Sequence, residues 1–76
     1  MLSACVLIRT GAGRFKEVVE SISHLRGVKR IFPVLGRYDV VVDFEASGFE
    51  ELGSMVLRMG RISGVVFTET LLEIRH

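Results

Sequence analysis

The sequence contains two similar halves, and this repeat limits the possible folds more than any other feature. When the chain is shifted by 37 residues against itself, an apolar stripe with helical spacing matches a second such stripe. The matched pairs are Phe15 with Leu52, Val18 with Met55, Val19 with Val56, Ile22 with Met59, and Leu25 with Ile62. A Gly-Val pair follows each stripe, at Gly27-Val28 and at Gly64-Val65. The repeat predicts two copies of one strand-helix-strand unit.

Runs of branched and alternating apolar residues predict four strands around the two helices. The first helix is predicted from about Arg14 to the break at Gly27, and the second from Ser47 to near Gly60. Ser47 and Glu50 have the spacing of a capping box, which would mark the start of the second helix. The predicted strands cover residues 2–10, 28–35, 36–45 and 65–74.

The third strand has the clearest alternation in the sequence. Its predicted core face carries Tyr38, Val40, Val42 and Phe44, and the opposite face carries mainly acidic residues. Gly36 permits a sharp turn before this strand, because glycine adopts a positive φ without steric conflict. The turn is expected to present polar groups near the start of the strand to a ligand.

The element order β-α-β-β-α-β predicts the α+β ferredoxin-like fold, with a four-stranded antiparallel sheet and two helices on one face. We predict a single domain over residues 1–76. The other sheet face, with Cys5, Leu7 and Val41, is expected to be an uncovered contact surface. A domain of 76 residues that is 49% hydrophobic and has one cysteine cannot gain stability from disulfides, so at least a dimer is expected.

The charge balance argues against a nucleic-acid partner. Ten basic and nine acidic residues give a formal charge of +1, which creates no strong field around the chain. The apolar N-terminal run is too short for a membrane span and lacks the features of a signal peptide. We therefore predict a cytoplasmic protein without direct contact to nucleic acid or membrane.

Two motifs resemble the ligand-binding (RAM) domain of the Lrp/AsnC family of transcription regulators. They are Gly36-Arg37-Tyr38-Asp39 and, about thirty residues later, Gly64-Val65 followed by Thr68-Glu69-Thr70. Each motif is weak alone, and the pair is more specific. The resemblance covers nearly the whole chain and leaves no room for a helix-turn-helix domain before Leu2, so it is to the stand-alone form of that domain.

The resemblance implies a dimer formed through the sheets, a ring of dimers, and free amino acids bound between dimers. A full-length Lrp/AsnC regulator is implied as a further partner, and no cofactor is implied. A carboxylate can hold an α-ammonium group, whereas backbone N–H groups and hydroxyls can hold a carboxylate. The ligand residues implied by the family are Gly36, Arg37, Tyr38, Asp39, Thr68 and Thr70.

Each of these residues also has a structural interpretation. Asp39 can support the turn, Tyr38 can be a core residue with its hydroxyl at the rim, and the two threonines can be an exposed pair on a strand. A small dimeric enzyme of the monooxygenase or isomerase type is the alternative function. We favour a non-enzymatic module, because the only histidines are His24 and His76 and no base or nucleophile is evident.

Three other groups of residues are given structural interpretations. Gly11-Ala12-Gly13-Arg14 lacks the lysine and hydroxyl of a phosphate loop, so we interpret it as a tight connection. The carboxylates of strands three and four lack an accompanying histidine, so we assign them to a solvated face. A basic rim that could contact nucleic acid is a minority interpretation, and it would contain Arg26, Lys29, Arg30, Arg58 and Arg61.

Overall fold

The computed structural model describes residues 1–74, so Arg75 and His76 of the predicted domain lie outside the described residues. The predicted β-α-β-β-α-β order is confirmed. Its elements are β1 (Leu2–Thr10), α1 (Phe15–Ser23), β2 (Val28–Pro33), β3 (Val40–Ala46), α2 (Phe49–Gly60) and β4 (Val65–Leu72).

The four strands form one antiparallel sheet in the order β2-β3-β1-β4. The first strands of the two repeats, β1 and β3, are therefore its centre, and β2 and β4 are its edges. Pro33 lies at the end of an edge strand, as its missing N–H predicts. This topology confirms the ferredoxin-like fold.

One face of the central strands supplies most of the core. Alternate residues of β1 and β3 are buried there, and both helices pack against them. Burying an aliphatic or aromatic side chain stabilises a fold by about 1.5–3 kcal/mol relative to leaving it exposed. The fully and nearly buried apolar residues are Ala4, Val6, Ile8, Val18, Ile22, Val40, Val42, Phe44, Ala46, Met55 and Met59.

The internal repeat is present in the structure. Val18 and Ile22 of α1 are buried, and so are Met55 and Met59, their matches in α2. Gly27 and Gly64 both adopt a positive φ, of 92° and 101°. Each glycine lies between a helix and the strand that follows it, in a backbone conformation that other residues rarely adopt.

The predicted capping box at Ser47 and Glu50 is wrong by one residue. The N-cap of α2 is Gly48, whose backbone is extended and which has no side chain to accept a hydrogen bond. The Ser47 N–H instead donates to Glu51 Oε1 at 2.6 Å. Because the helix begins one residue later than expected, Glu51 is the third residue after the N-cap and takes the place predicted for Glu50.

Three strand ends differ from the sequence prediction by two residues or more. β2 ends at Pro33 rather than residue 35, β3 begins at Val40 rather than residue 36, and β4 ends at Leu72 rather than residue 74. The delayed start of β3 has a clear cause. The Asp39 N–H donates to the Ile8 carbonyl at 2.8 Å, although Ile8 is paired with Val40 in the ladder. The register is broken at this point, and residues 34–39 form a loop.

The sheet face opposite the helices is uncovered within the described chain, and we call it the open face. It carries Cys5, Leu7 and Val41, which are partly buried, and the exposed Phe67 and Leu71 of β4. Apolar and polar residues are mixed here, as expected from the sequence. Neither helix found within residues 1–74 has the length and apolar character needed to cross a membrane.

Candidate functional site

The loop of residues 34–39 is held to the fold at both ends. The Val34 N–H donates to the Asp39 carbonyl at 2.9 Å, which closes the loop on itself. The guanidinium group of Arg9 donates to the Arg37 carbonyl, at 3.1 Å from Nη2. Gly36 has φ of 136°, which confirms the predicted glycine turn. The loop is therefore positioned by strand β1 as well as by its own hydrogen bonds.

The carboxylate of Asp39 links this loop to the end of β1. Its Oδ2 atom accepts a hydrogen bond from the Thr10 N–H at 2.7 Å and from the Thr10 hydroxyl at 3.3 Å. The other oxygen, Oδ1, accepts no hydrogen bond from residues 1–74. Asp39 thus has a structural role, but its partner is the distant Thr10 and not the local backbone of the turn considered from the sequence. Its other oxygen can still accept a hydrogen bond from a ligand.

A cavity of about 450 Å³ lies beside Asp39. Its other lining residues are apolar and come from the first residue of α1, the end of β2 and the loop. A carboxylate at the edge of an apolar cavity can fix the orientation of a small molecule whose remaining surface is apolar. The lining residues are Phe15, Pro33, Val34, Leu35 and Asp39.

The loop also offers donors for a negatively charged group. The N–H groups of residues 35–38 donate to no acceptor in the described part of the chain. The Arg37 side chain likewise makes no ion pair or hydrogen bond to any residue between Met1 and Ile74. Backbone N–H groups and a guanidinium are suitable partners for a carboxylate. The loop therefore combines one acceptor, on Asp39, with several unused donors.

Tyr38 lies on the side of the sheet away from the cavity. Its hydroxyl donates a hydrogen bond to Glu69 Oε1, and its ring stacks on Phe67 with a centroid distance of 6.5 Å. Glu69 and Phe67 pair with Leu7 and Arg9, so all four lie on the open face. The prediction that Tyr38 faces the core is wrong, because the broken register at Asp39 interrupts the alternation on which it depended. The hydrogen bond to the Glu69 carboxylate raises the pKa of Tyr38.

Thr68 and Thr70 lie on the helix-facing side of β4 and are half-buried. They pair with Ile8 and Val6, whose side chains belong to the core. Ile8 pairs with Thr68 on one side of β1, and its carbonyl accepts the Asp39 N–H on the other side. Ile8 therefore separates Thr68 from the loop. The structure thus brings Gly36, Arg37 and Asp39 together in one loop and places the two threonines on the far side of β1. The cavity lining includes neither threonine.

The apolar lining of the cavity is not predicted from the sequence. The sequence pattern places Phe15 only in the buried stripe of a helix, and Pro33, Val34 and Leu35 only in a strand. One signal was present, because three apolar residues directly precede the Gly36 turn in a segment that must be near the surface. Leu35 is fully exposed in the structure.

Away from the loop, Arg14 and Cys5 also make polar contacts with nearby side chains. Arg14 donates to Glu17 and, from Nη2, to the Ser63 hydroxyl at 2.7 Å, and the contact with Arg14 lowers the pKa of Glu17. Burial and the nearby Asp43 carboxylate raise the pKa of the Cys5 thiol. Over residues 1–74, no three His, Cys, Asp or Glu side chains are grouped as a metal site would require.

Comparison with known proteins gives both sequence relatives and structural neighbours, whereas no protein-family model matches the chain. The HTH-type transcriptional regulator FL11 of Pyrococcus abyssi is 31% identical over 72 residues, which cover 95% of this chain and 48% of the regulator. The chain therefore spans about half the length of the curated relatives it matches.

The solved structures reproduce the fold closely. TTHA0845 from Thermus thermophilus has a TM-score of 0.93 and 36% identity, covering 100% of this chain and 96% of that one. E. coli AsnC has a TM-score of 0.91 at 16% identity, covering 99% of this chain and 52% of AsnC. The transcriptional regulator NMB0573 from Neisseria meningitidis, solved in complex with L-Met, has a TM-score of 0.88 at 14% identity, covering 97% and 50%.

At such low identity, the last two neighbours show a shared fold and no more. The relationship to FL11, the full-length match to TTHA0845 and the Gly-Arg-Tyr-Asp loop at residues 36–39 add the sequence evidence. The chain belongs to the Lrp/AsnC family of transcription regulators and has the fold of its ligand-binding (RAM) domain.

Proposed function

We propose that this chain is an amino-acid-sensing and oligomerisation module that acts in transcription regulation. The observation that carries the proposal is Asp39, which has one oxygen bonded to Thr10 and the other unused at the edge of an apolar cavity. A regulator with the same fold has been solved with L-Met, which supports a free amino acid as the effector of this fold.

In this proposal the Asp39 carboxylate binds the α-ammonium group of the amino acid. The unused N–H groups of residues 35–38 and the Arg37 guanidinium bind its carboxylate. The apolar lining around Phe15, Val34 and Leu35 then receives the side chain. Because this lining carries no charge other than that of Asp39, an amino acid with an apolar side chain fits better than a charged one. Thr68 and Thr70 have no direct part, since Ile8 separates them from the loop.

The open face is the proposed site of dimer formation. It exposes Phe67 and Leu71 beside the partly buried Leu7 and Val41, and nothing within residues 1–74 covers them. A second copy can cover the same patch symmetrically, as in most two-fold dimers. The ring of dimers implied by the family resemblance would then place Leu35 and the cavity near a neighbouring dimer.

The partner in regulation is proposed to be a DNA-binding regulator of the same family. The relatives that carry the name of transcription regulators are about twice the length matched by this chain. We propose a cytoplasmic role without direct DNA contact, in keeping with the formal charge of +1. No observation favours the alternative of a small dimeric enzyme, and the named relatives are regulators.

The proposal is tested by calorimetric titration of the twenty amino acids into the wild-type protein and into Asp39→Asn. The substitution keeps the size of the side chain and an oxygen for Thr10, but removes the charge that faces the ammonium group. Hydrogen bonds to charged groups contribute about 1.5–3 kcal/mol, so affinity should fall by about ten- to 150-fold. Glu20→Gln is the control, since it removes a carboxylate charge from the exposed surface of α1, outside both the cavity lining and the open face. Equal binding by all three proteins, or no binding by wild type, would remove the site.

A further inference from the structure

The outer surface of α2 exposes large apolar side chains that no part of the described chain covers. Phe49 is 68% exposed and Leu57 is 61% exposed. Positions 49, 53, 57 and 60 recur at helical spacing and so lie on one side of the helix. Met55 and Met59 are buried on the other side. We call the surface formed by Phe49, Gly53, Leu57 and Gly60 the α2 outer face.

The two glycines of this face are not required by the packing of the chain itself. A Cβ atom added to Gly53 or Gly60 would meet nothing within 4 Å, and neither glycine has a positive φ. Glycine lowers the stability of a helix relative to alanine, so these positions are unfavourable for an isolated helix. They leave two shallow depressions on the helix surface, one on either side of the exposed Leu57.

We propose that the α2 outer face binds the same face of a second copy of this chain, with the two α2 helices antiparallel. Met55 lies halfway between Gly53 and Leu57, and within one residue of the midpoint of Phe49 and Gly60. A two-fold axis that crosses the outer face at the level of Met55 along the helix therefore places Leu57 against Gly53 of the second copy. It also places Phe49 against Gly60 of the second copy. Each large side chain meets a depression, and the glycines allow the helix axes to approach closely.

The charges at the ends of the helix select the antiparallel arrangement. Glu50 lies in the first turn of α2 and Arg61 is its C-cap residue. Neither makes an ion pair with any residue that the structure describes. In the antiparallel pair, Glu50 of each copy meets Arg61 of the other, so two attractive pairs form. A parallel pair would instead bring like charges together at both ends.

The contact is distinct from the proposed dimer through the open face, because α2 and the open face lie on opposite sides of the sheet. A helix of 12 residues presents less than the roughly 1,000 Å² that a stable interface buries. We therefore expect a weak contact, formed at high protein concentration or between copies that are already joined through their sheets.

Sedimentation equilibrium over a wide concentration range tests this surface, using the full chain with Leu71→Lys to weaken the open-face contact. In this background, Leu57→Lys should weaken the remaining self-association at least tenfold, because it places a charge against Gly53 of the second copy. Val66→Lys is the control, since Val66 is an equally exposed apolar residue (66%) outside α2. Unchanged association in Leu57→Lys, or an equal loss in the control, would overturn the proposal.

A charge exchange tests the antiparallel geometry. Glu50→Arg and Arg61→Glu should each weaken association severalfold, and the double variant should restore it, because the attractive pairs are re-formed with reversed signs. Circular dichroism establishes that each variant is folded. A double variant that associates no better than the single variants would overturn the arrangement.

Discussion

The carbonyl oxygen of Glu45 lies 2.6 Å from the position that a Cβ atom on Gly27 would occupy. The Glu45 N–H also donates to the Gly27 carbonyl at 2.9 Å. The turn that leads from α1 into β2 therefore packs directly on the backbone of β3. This contact joins the helix-to-strand turn of the first repeat unit to the first strand of the second.

Gly27→Ala should be strongly destabilising, because it combines two unfavourable effects. A positive φ costs a non-glycine residue about 1–2 kcal/mol, and here the new methyl group would also collide with backbone. We expect a loss of more than about 2 kcal/mol in the free energy of unfolding, measured with urea. Gly13→Ala is the control, because Gly13 has φ of 73° and open space around it. Equal losses in the two variants would contradict the close approach to Glu45.

The isolated chain should be at least a dimer, and Leu71→Lys should shift it toward the monomer. Leu71 is exposed on the open face, where a lysine would be desolvated without a partner if a second copy packs there. Sedimentation velocity at micromolar concentration measures the change. Met1→Lys is a matched control, since Met1 is also an exposed apolar residue but precedes β1. A wild-type protein that remains monomeric would contradict the proposed interface.

The Cys5 thiol should react slowly with alkylating reagents at neutral pH. Burial and Asp43 raise its pKa, so a smaller fraction is thiolate, the reactive form, than in an ordinary cysteine. In the unfolded protein, the alkylation rate should stop rising with pH once the thiol is fully deprotonated. In the folded protein, the rate should continue to rise above that pH. Asp43→Asn should move the profile to lower pH. If the open face is a dimer interface, the rate should also fall as protein concentration increases; an unchanged rate would argue against that interface.

Amino-acid binding and assembly should strengthen each other if the ligand contacts two dimers. By linkage, the free energy that assembly adds to binding equals the free energy that the ligand adds to assembly. A coupling of about 1–3 kcal/mol would change the assembly constant by roughly five- to 150-fold. Native mass spectrometry with and without the amino acid selected by titration measures the subunit distribution. A distribution that does not respond to a bound ligand would place the site within one dimer.

The elements and their core faces follow from the sequence because their patterns are long. The alternation of β1 and β3 continues over several residues, and it correctly assigns Val42 and Phe44 to the core and Cys5 and Leu7 to the open face. The helical stripes occur twice with the same spacing, which makes a chance pattern improbable. These signals depend on local periodicity, so they need no knowledge of which strands pair.

The site was harder to predict because it depends on single residues and on tertiary contacts. One displaced hydrogen bond, from Asp39 to Ile8, moves Tyr38 to the open face. A shift of one residue at the start of α2 exchanges the roles of Glu50 and Glu51. The cavity lining comes from a helix, a strand and a loop, and no periodic pattern relates Phe15 to Leu35.

The opposite directions of Tyr38 and Asp39 have a consequence for communication within the protein. Asp39 lines the cavity, whereas Tyr38 bonds to Glu69 on the open face, and only one peptide bond separates them. That bond is planar and fixes the distance between the two α-carbons, so a shift of one α-carbon would also displace the other. A small molecule and a neighbouring subunit would therefore act on the same few atoms.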